Sequence, residues 1–192
     1  MEFKVDIQGK QEIRRNLDIL GKKKNTVVAR AINKTTKSMR YGGIKAIKER
    51  YTVKASALRE VMKIQKANRN KLFAVIKTLG TRLKLRTSFE TFRFALAKGK
   101  KRVMVQILKQ GSPKILRHAF YGTFPVGGKE IAQRKSKERI PTRELSGLSV
   151  PQMVKAKEIK KVWERIYNEK MLPTLSHEIE AELKGYVKGY GE

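Results

Sequence analysis

The sequence predicts an α+β protein in which helices come first, a β-rich part follows and helices return at the end. Apolar residues recur every three or four positions before residue 62 and again after residue 153, which is typical of amphipathic helices. Between these two parts, apolar and polar residues alternate, which is typical of strands. No apolar run reaches the roughly 18 residues that a membrane-spanning helix needs, so we expect no membrane partner.

The chain of 192 residues has the length of one domain, at about 100–200 residues per domain. We therefore expect a single α+β domain over residues 1–192 with four consecutive parts. These are a helical N-terminal part at 1–61, a β-rich part at 62–140, a loop rich in proline and glycine at 141–153, and C-terminal helices at 154–192.

The N-terminal part begins with a predicted strand and continues with basic helices. Residues 2–8 alternate apolar and polar side chains, and residues 11–20 have helical periodicity that ends at Gly21, a residue favoured just after a helix. A long helix follows Lys24, and a shorter one is predicted at 52–61. Gly42 and Gly43 weaken the long helix by up to about 1 kcal/mol each relative to alanine, so we expect a close packing contact or a bend there.

The middle of the chain predicts a central antiparallel sheet. Its strands are expected at 71–79, 83–85, 92–96, 102–107, 120–124 and 129–134, with a polar turn at 135–138. The strands at 92–96 and 102–107 form a predicted hairpin whose tip contains Gly99. After residue 153 the helical period returns, and Trp163 is expected to anchor the core. Pro173 is expected to break this helix into a pair.

The net charge of +29 results from 46 Lys and Arg against 17 Asp and Glu, and it is unevenly distributed. Residues 19–86 hold 20 basic and two acidic residues, a local charge of 20 − 2 = +18. Such an excess favours a polyanionic neighbour, either nucleic acid or an acidic protein, and the alternative is a basic face that is only solvated. An anionic membrane is the least favoured neighbour, because it would require bulkier apolar residues opposite the basic face. Candidates to face this polyanion lie between two helices and at the hairpin tip: Lys22, Lys23, Lys24, Lys98, Lys100, Lys101 and Arg102.

Residues suited to catalysis or metal binding are sparse. The chain has no Cys and two His, His118 and His177, and neither His lies in an HExxH motif. No glycine-rich nucleotide loop of the GxGxxG or GxxxxGK[ST] type is present. A metal-dependent nuclease would need clustered carboxylates, which are scattered here. We therefore predict no enzyme activity, no catalytic residue, no metal and no cofactor.

The most specific motif lies at residues 140–153, which read Ile-Pro-Thr-Arg-Glu-Leu-Ser-Gly-Leu-Ser-Val-Pro-Gln-Met. This run resembles the "lPI.EL.GpSvPqM" pattern of the prophage minor tail protein Z family. Tyr51-Thr52-Val53-Lys54 and Leu58-Arg59 are similar to the family's "YgVk…lR" segment, and the resemblance covers roughly residues 27–183. Two positions depart from the pattern: Thr142 replaces an aliphatic residue and Leu148 replaces a proline.

The resemblance implies a structural virion protein of a long-tailed bacteriophage, made in the bacterial host cytoplasm and placed in the phage tail or neck. Its implied role is tail completion or head-to-tail joining, in a homo-oligomeric ring, a hexamer being one option, with other neck and tail proteins around it and DNA in the lumen. Candidate assembly contacts are Pro141, Glu144, Leu145, Gly147, Ser149, Pro151 and Met153. Two alternatives stay open: these residues only tie the sheet to the C-terminal helix, or the chain is a sequence-independent nucleic-acid-binding protein.

Overall fold

The computed structural model describes residues 10–89, 92–97, 100–124, 128–138 and 141–189. Within them, helices come first, most of the strands follow and a long helix ends the chain, which confirms the predicted α+β class. The N-terminal strand predicted at residues 2–8 lies outside the described residues, and so does residue 98.

The first three helices lie close to the stretches whose periodicity predicts them, whereas the short helices at Leu85–Ser88 and Val150–Val154 were not predicted. Gly21 follows the first helix with a φ of 50°, the left-handed conformation expected at a helix end. A short 3-10 turn at Gly21–Lys23 then leads into the long helix without a loop. The bounds are α1 (Lys10–Ile19), α2 (Lys24–Arg50), α3 (Ala55–Val61), α4 (Leu85–Ser88), α5 (Val150–Val154) and α6 (Lys157–Gly189).

The strands are distributed over several small sheets instead of one central sheet. In the described residues the hydrogen-bonded orders are β1-β2, β10-β3, β4-β5-β6 and β7-β8-β9. The predicted hairpin at 92–107 is confirmed as the antiparallel pair β4 and β5. The bounds are β1 (Met62–Gln65), β2 (Val75–Thr78), β3 (Arg82–Lys84), β4 (Phe92–Ala97), β5 (Lys100–Val105), β6 (Lys114–Ile115), β7 (Ala119–Phe124), β8 (Gly128–Arg134), β9 (Thr142–Glu144) and β10 (Ser146–Ser149).

The C-terminal helix differs from the prediction at Pro173. The sequence predicts a helix pair separated there, whereas α6 runs unbroken through this proline. A proline inside a helix costs about 3 kcal/mol or more, because it lacks an N–H group and its ring crowds the preceding turn. Leu175 and Ile179, just beyond it, are buried in a core cluster with Leu20, Val27 and Ala31. We infer that this burial offsets the cost of continuing the helix.

The chain divides into two compact units. The first contains residues 1–43, 63–77 and 157–192, and its core is the cluster of α1, α2 and α6 just described. The second contains residues 44–62 and 78–156, and Val53, Leu58, Phe89, Ile131 and Met153 are fully buried in it. The division falls inside α2, between Gly43 and Ile44. The expectation of one domain over the whole chain stays a prediction.

Candidate functional site

The motif-bearing segment 141–153 is held in the second unit by two strand pairings. β9 pairs antiparallel with β8, and β10 pairs antiparallel with β3. Between these strands, the backbone N–H of Leu145 donates to the carbonyl oxygen of Ile131 at 2.8 Å. The segment therefore contains two short strands and a helix where the sequence predicts a structured loop.

The Ser-Val-Pro-Gln-Met run at 149–153 forms the start of α5. The side chain of Ser149 accepts from the backbone N–H of Gln152, and the Gln152 side chain accepts from the Ser149 N–H at 3.0 Å, a reciprocal capping box. Pro151 lies in the first turn, where its missing N–H would have no partner within the helix. Val150 and Met153 are fully buried. Each residue of the run thus has a local reason for its type.

Gly147 allows β10 to lie directly against an aromatic ring. A Cβ at this position would come within 2.6 Å of both Cε2 and Cζ of Phe89, and within 3.3 Å of Leu85 Cδ2. Phe89 is itself 1% exposed, so its ring has little room to withdraw. Any larger residue at 147 would therefore displace core side chains of the second unit.

Glu144 takes part in an ion-pair group centred on Lys84. The Lys84 Nζ lies 3.2 Å from Glu144 Oε1 and 3.8 Å from Oε1 of Glu130, which is 2% exposed. Burial raises the pKa of Glu130 above its ordinary value, while the charge of Lys84 acts in the opposite direction. Since Lys84, Glu130 and Glu144 lie on β3, β8 and β9, the group connects two of the small sheets.

These contacts bear on the two interpretations of the segment. Glu144, Leu145, Gly147, Ser149, Pro151 and Met153 each have a structural role within the chain. Pro141, Ser146 and Gln152 are exposed and remain accessible for a contact with another molecule. The internal roles explain the motif without any partner, and the assembly contact stays a prediction.

The two groups of predicted polyanion-facing residues lie in different kinds of secondary structure. Lys22 and Lys23 lie in the 3-10 turn, Lys24 begins α2, and all three are exposed. Lys100, Lys101 and Arg102 lie on β5, where their backbones pair with Ala97, Leu96 and Ala95. Lys98 lies outside the described residues. The structure thus keeps the first three together at one helix end.

Acidic residues of α6 neutralise part of this basic end. The two carboxylate oxygens of Glu182 form ion pairs with Lys23 Nζ and Arg30 Nη1, each at 2.9 Å. Glu178 forms an ion pair with Lys34. The hydrogen bond from Lys23, followed by that from Arg30, lowers the pKa of Glu182. Lys23 is therefore committed to a contact within its own chain.

A second basic surface, not predicted from the sequence, lies on β2 and on the turn that joins β1 to β2. Leu72, Phe73 and Val75 are 41%, 58% and 38% exposed, although apolar residues of a strand are expected to be buried on one face. Lys66, Arg69, Lys71 and Lys77 are exposed beside them in the chain. A signal was present: residues 61–89 contain eight Lys or Arg and no Asp or Glu.

This turn is fixed to α2 by asparagine side chains. Asn33 donates to the Ala67 carbonyl at 2.9 Å and accepts from the Ala67 N–H at 2.8 Å, so it pairs with both backbone groups. Asn25 donates to the Arg69 carbonyl at 3.2 Å. The Asn68 Oδ1 accepts from the N–H groups of Asn70 and Lys71, which closes the turn. The exposed apolar residues therefore follow directly after an anchored turn.

The described residues contain no group of three or more His, Cys, Asp or Glu side chains that could hold a metal ion. His118 has a φ of 60° and is exposed, while His177 lies on α6. In the same part of the chain, no helix is long and apolar enough to cross a membrane. The arrangement offers surfaces for binding, formed by basic side chains and exposed apolar residues.

An α+β protein that presents such surfaces fits a structural or binding role. A family model of prophage minor tail protein Z matches residues 7–189, nearly the whole chain. The chain belongs to this family, which consists of structural phage tail proteins and makes it a virion component. No curated protein and no solved structure matches it.

Proposed function

We propose that the chain completes the phage tail as one subunit of a ring at the junction of head and tail, around the path of the DNA. Family membership supports the place in the tail. The observation that supports a ring around the DNA is the charge of +29, because many copies brought together would repel one another unless a polyanion neutralised them. DNA passing through a ring supplies such a polyanion to every subunit, whatever the sequence of the DNA.

The distribution of ion pairs is compatible with this role. Glu178 and Glu182 neutralise basic side chains of α2, but Lys22 and Lys24 at the same helix end are exposed. A closed ring requires one surface of each subunit to bind a different surface of its neighbour. The exposed residues of the segment 141–153 are our candidates for one of these surfaces, and neighbouring neck and tail proteins would complete the assembly.

Locating the chain in the particle tests this proposal. Cryo-electron microscopy of the phage should show density for it as a ring on the tail axis next to the head. Native mass spectrometry of the isolated protein should show monomers or weak association, because self-repulsion opposes assembly without neighbours. Density away from the axis would contradict the proposal. A stable ring of the isolated protein at low salt would instead remove the self-repulsion argument for DNA as the neutralising polyanion.

A second candidate function is sequence-independent binding of nucleic acid outside any ring. The acid-free run at residues 61–89 favours it, since this run would meet a phosphate backbone without repulsion. In that case the protein would bind DNA as a monomer and would be missing from the tail axis of the particle. The same imaging experiment therefore separates the two functions.

A further inference from the structure

The structure assigns a protein-docking surface to the anchored turn between β1 and β2. This surface, which we call the Phe73 surface, consists of Leu72, Phe73 and Val75 with the basic residues Lys66, Arg69, Lys71 and Lys77. We propose that its partner is an acidic protein segment with apolar side chains at its centre. The inference requires only the folded chain and does not depend on a ring or on DNA.

The apolar part of the surface is the first reason for a protein partner. Single exposed apolar residues are common on proteins, but Leu72, Phe73 and Val75 are exposed within four consecutive positions. On β2, Val75 and Lys77 are exposed while Ile76 between them is half-buried, so Val75 projects outward with the basic side chain. Protein interfaces combine an apolar centre with a charged rim, and the four basic residues of this surface would form that rim.

The anchoring of the turn is the second reason. Asn33, Asn25 and Asn68 together make five hydrogen bonds to backbone groups of residues 67–71. A surface whose backbone is already ordered loses little conformational entropy when a partner binds, and this favours affinity. Next to this ordered backbone, three apolar side chains are exposed to water, and a partner that covers them would gain binding free energy from their burial.

Charge selects an acidic partner and disfavours a second copy of this chain. No Asp or Glu occurs between residues 61 and 89, so the rim of the surface has one sign only. A second copy would bring its own excess of +29, and its Glu178 and Glu182 are already paired with basic residues of α2. Opposite charge on the partner would also speed association and set its orientation.

Nucleic acid fits the surface less well than protein does. Phosphates would satisfy the four basic residues, but they offer no apolar contact to Leu72 and Val75. A single strand could stack a base on Phe73, although it would leave both aliphatic side chains uncovered. A partner that provides acidic and aliphatic groups satisfies both parts of the surface.

Two synthetic peptides of equal length and equal Glu content provide the test, one with Leu and one with Ser between the glutamates. We expect the protein to bind the Glu/Leu peptide at least about tenfold more tightly than the Glu/Ser peptide in fluorescence anisotropy titrations. The double variant Leu72→Ser/Phe73→Ser should lose most of this preference. The control Leu108→Ser/Ile115→Ser, at positions 43% and 47% exposed, should keep it.

A charge-reversal pair tests the rim and does not depend on the apolar variants. Arg69→Glu/Lys71→Glu should weaken both peptides, whereas Lys135→Glu/Lys137→Glu, which changes the net charge equally at another exposed turn, should weaken them much less. Equal affinity of the wild type for both peptides would overturn the proposal. Displacement of the Glu/Leu peptide by duplex DNA, with DNA binding lost in the Leu72→Ser/Phe73→Ser variant, would assign the surface to nucleic acid instead. Neither result bears on where the chain lies in the particle, so this test is independent of the proposed function.

Discussion

The indole ring of Trp163 lies against Gly43, in the space that a Cβ at this position would occupy. Such a Cβ would be 2.8 Å from Trp163 Cε2 and still closer to Nε1. One residue earlier, Gly42 allows the same approach for the side chain of Ile166. The close packing predicted from the glycine pair is thus confirmed, and it joins α2 to α6 in the first unit.

Replacing Gly43 with alanine should destabilise the protein, against the usual effect of this change. In a helix, Gly→Ala normally stabilises by about 0.5–1 kcal/mol. At Gly43 the added methyl group would overlap a large ring, and overpacking of this kind costs about 1–3 kcal/mol. Gly185 on α6 has open space around it, so Gly185→Ala should show the ordinary gain. Chemical denaturation of both variants checks the opposite signs, and two gains would show that the Trp163 ring can move aside.

A double-mutant cycle should show that the penalty at Gly43 comes from Trp163 itself. Truncation of Trp163 to alanine should cost about 3 kcal/mol, the lower end for a large aromatic residue, because the side chain is half-buried. In that background Gly43→Ala should become neutral or stabilising, since the overlapping atoms are gone. The free energies of unfolding of the four proteins give the coupling directly. Additive effects would place the cost of Gly43→Ala elsewhere in the helix.

The sequence predicted the long elements well because their periodicity is sustained. Helix α2 and the β4–β5 hairpin depend on local patterns of many residues, and both are present as expected, although β5 begins two residues earlier than predicted. The break at Pro173 was predicted from a local rule, and the burial of Leu175 and Ile179 with residues far away in the sequence outweighs it. No local pattern could show that burial.

The candidate sites were harder to predict, because they depend on which residues meet in space. The internal role of Glu144 requires Lys84, sixty positions earlier, and the pairing of Lys23 requires Glu182 at the far end of the chain. The part of the Phe73 surface at residues 71–79 was predicted as an ordinary strand, because alternation of apolar and polar residues does not show which apolar residues are exposed. Only the asparagine contacts of α2 show that the turn is fixed there.

Substitution at Gly147 should disturb the core of the second unit. Gly147→Ala would place a methyl group 2.6 Å from two ring atoms of Phe89, so we expect a loss of about 1–3 kcal/mol. Gly80→Ala is a suitable control, because no atom lies within 4 Å of the added group. Thermal unfolding followed by circular dichroism would measure both. A Gly147→Ala variant as stable as the wild type would leave this glycine without a packing role and favour the assembly contact.

Removing the charge of Glu130 should make stability less dependent on pH. Burial raises the pKa of this carboxyl in the folded protein above its ordinary value of 4.5. The folded state therefore binds a proton more tightly than the unfolded chain, so the free energy of unfolding falls as pH rises from about 4.5 through the folded pKa. Glu130→Gln should be more stable than the wild type above this range and similar to it below.

The measurement for Glu130 is the difference in melting temperature between variant and wild type across this pH range. Glu144→Gln is the matched control, because it removes the other carboxylate partner of Lys84 from a residue that is 37% exposed. It should lower stability near neutral pH by at most about 1 kcal/mol, as expected for an exposed ion pair. A Glu130→Gln variant that loses stability at neutral pH would show that the ion pair with Lys84 outweighs the burial of the charge.

Reversing the charges of Lys22 and Lys24 should weaken DNA binding and make the affinity less dependent on salt concentration. Each phosphate contact contributes about −0.9 to the slope of log affinity against log salt on duplex DNA, so the double variant to Glu should flatten the slope by about two contacts' worth. Lys23 is best retained, because a glutamate there would face Glu182 and disturb the fold for another reason. Lys155→Glu/Lys157→Glu carries the same change in net charge at other exposed positions and should leave the slope nearly unchanged.

In infection, the Lys22/Lys24 variant should yield heads and tails that fail to join or to eject DNA. Normal particles together with an unchanged slope would show that these lysines do not contact DNA, and an acidic protein would then become the expected neighbour of this helix end.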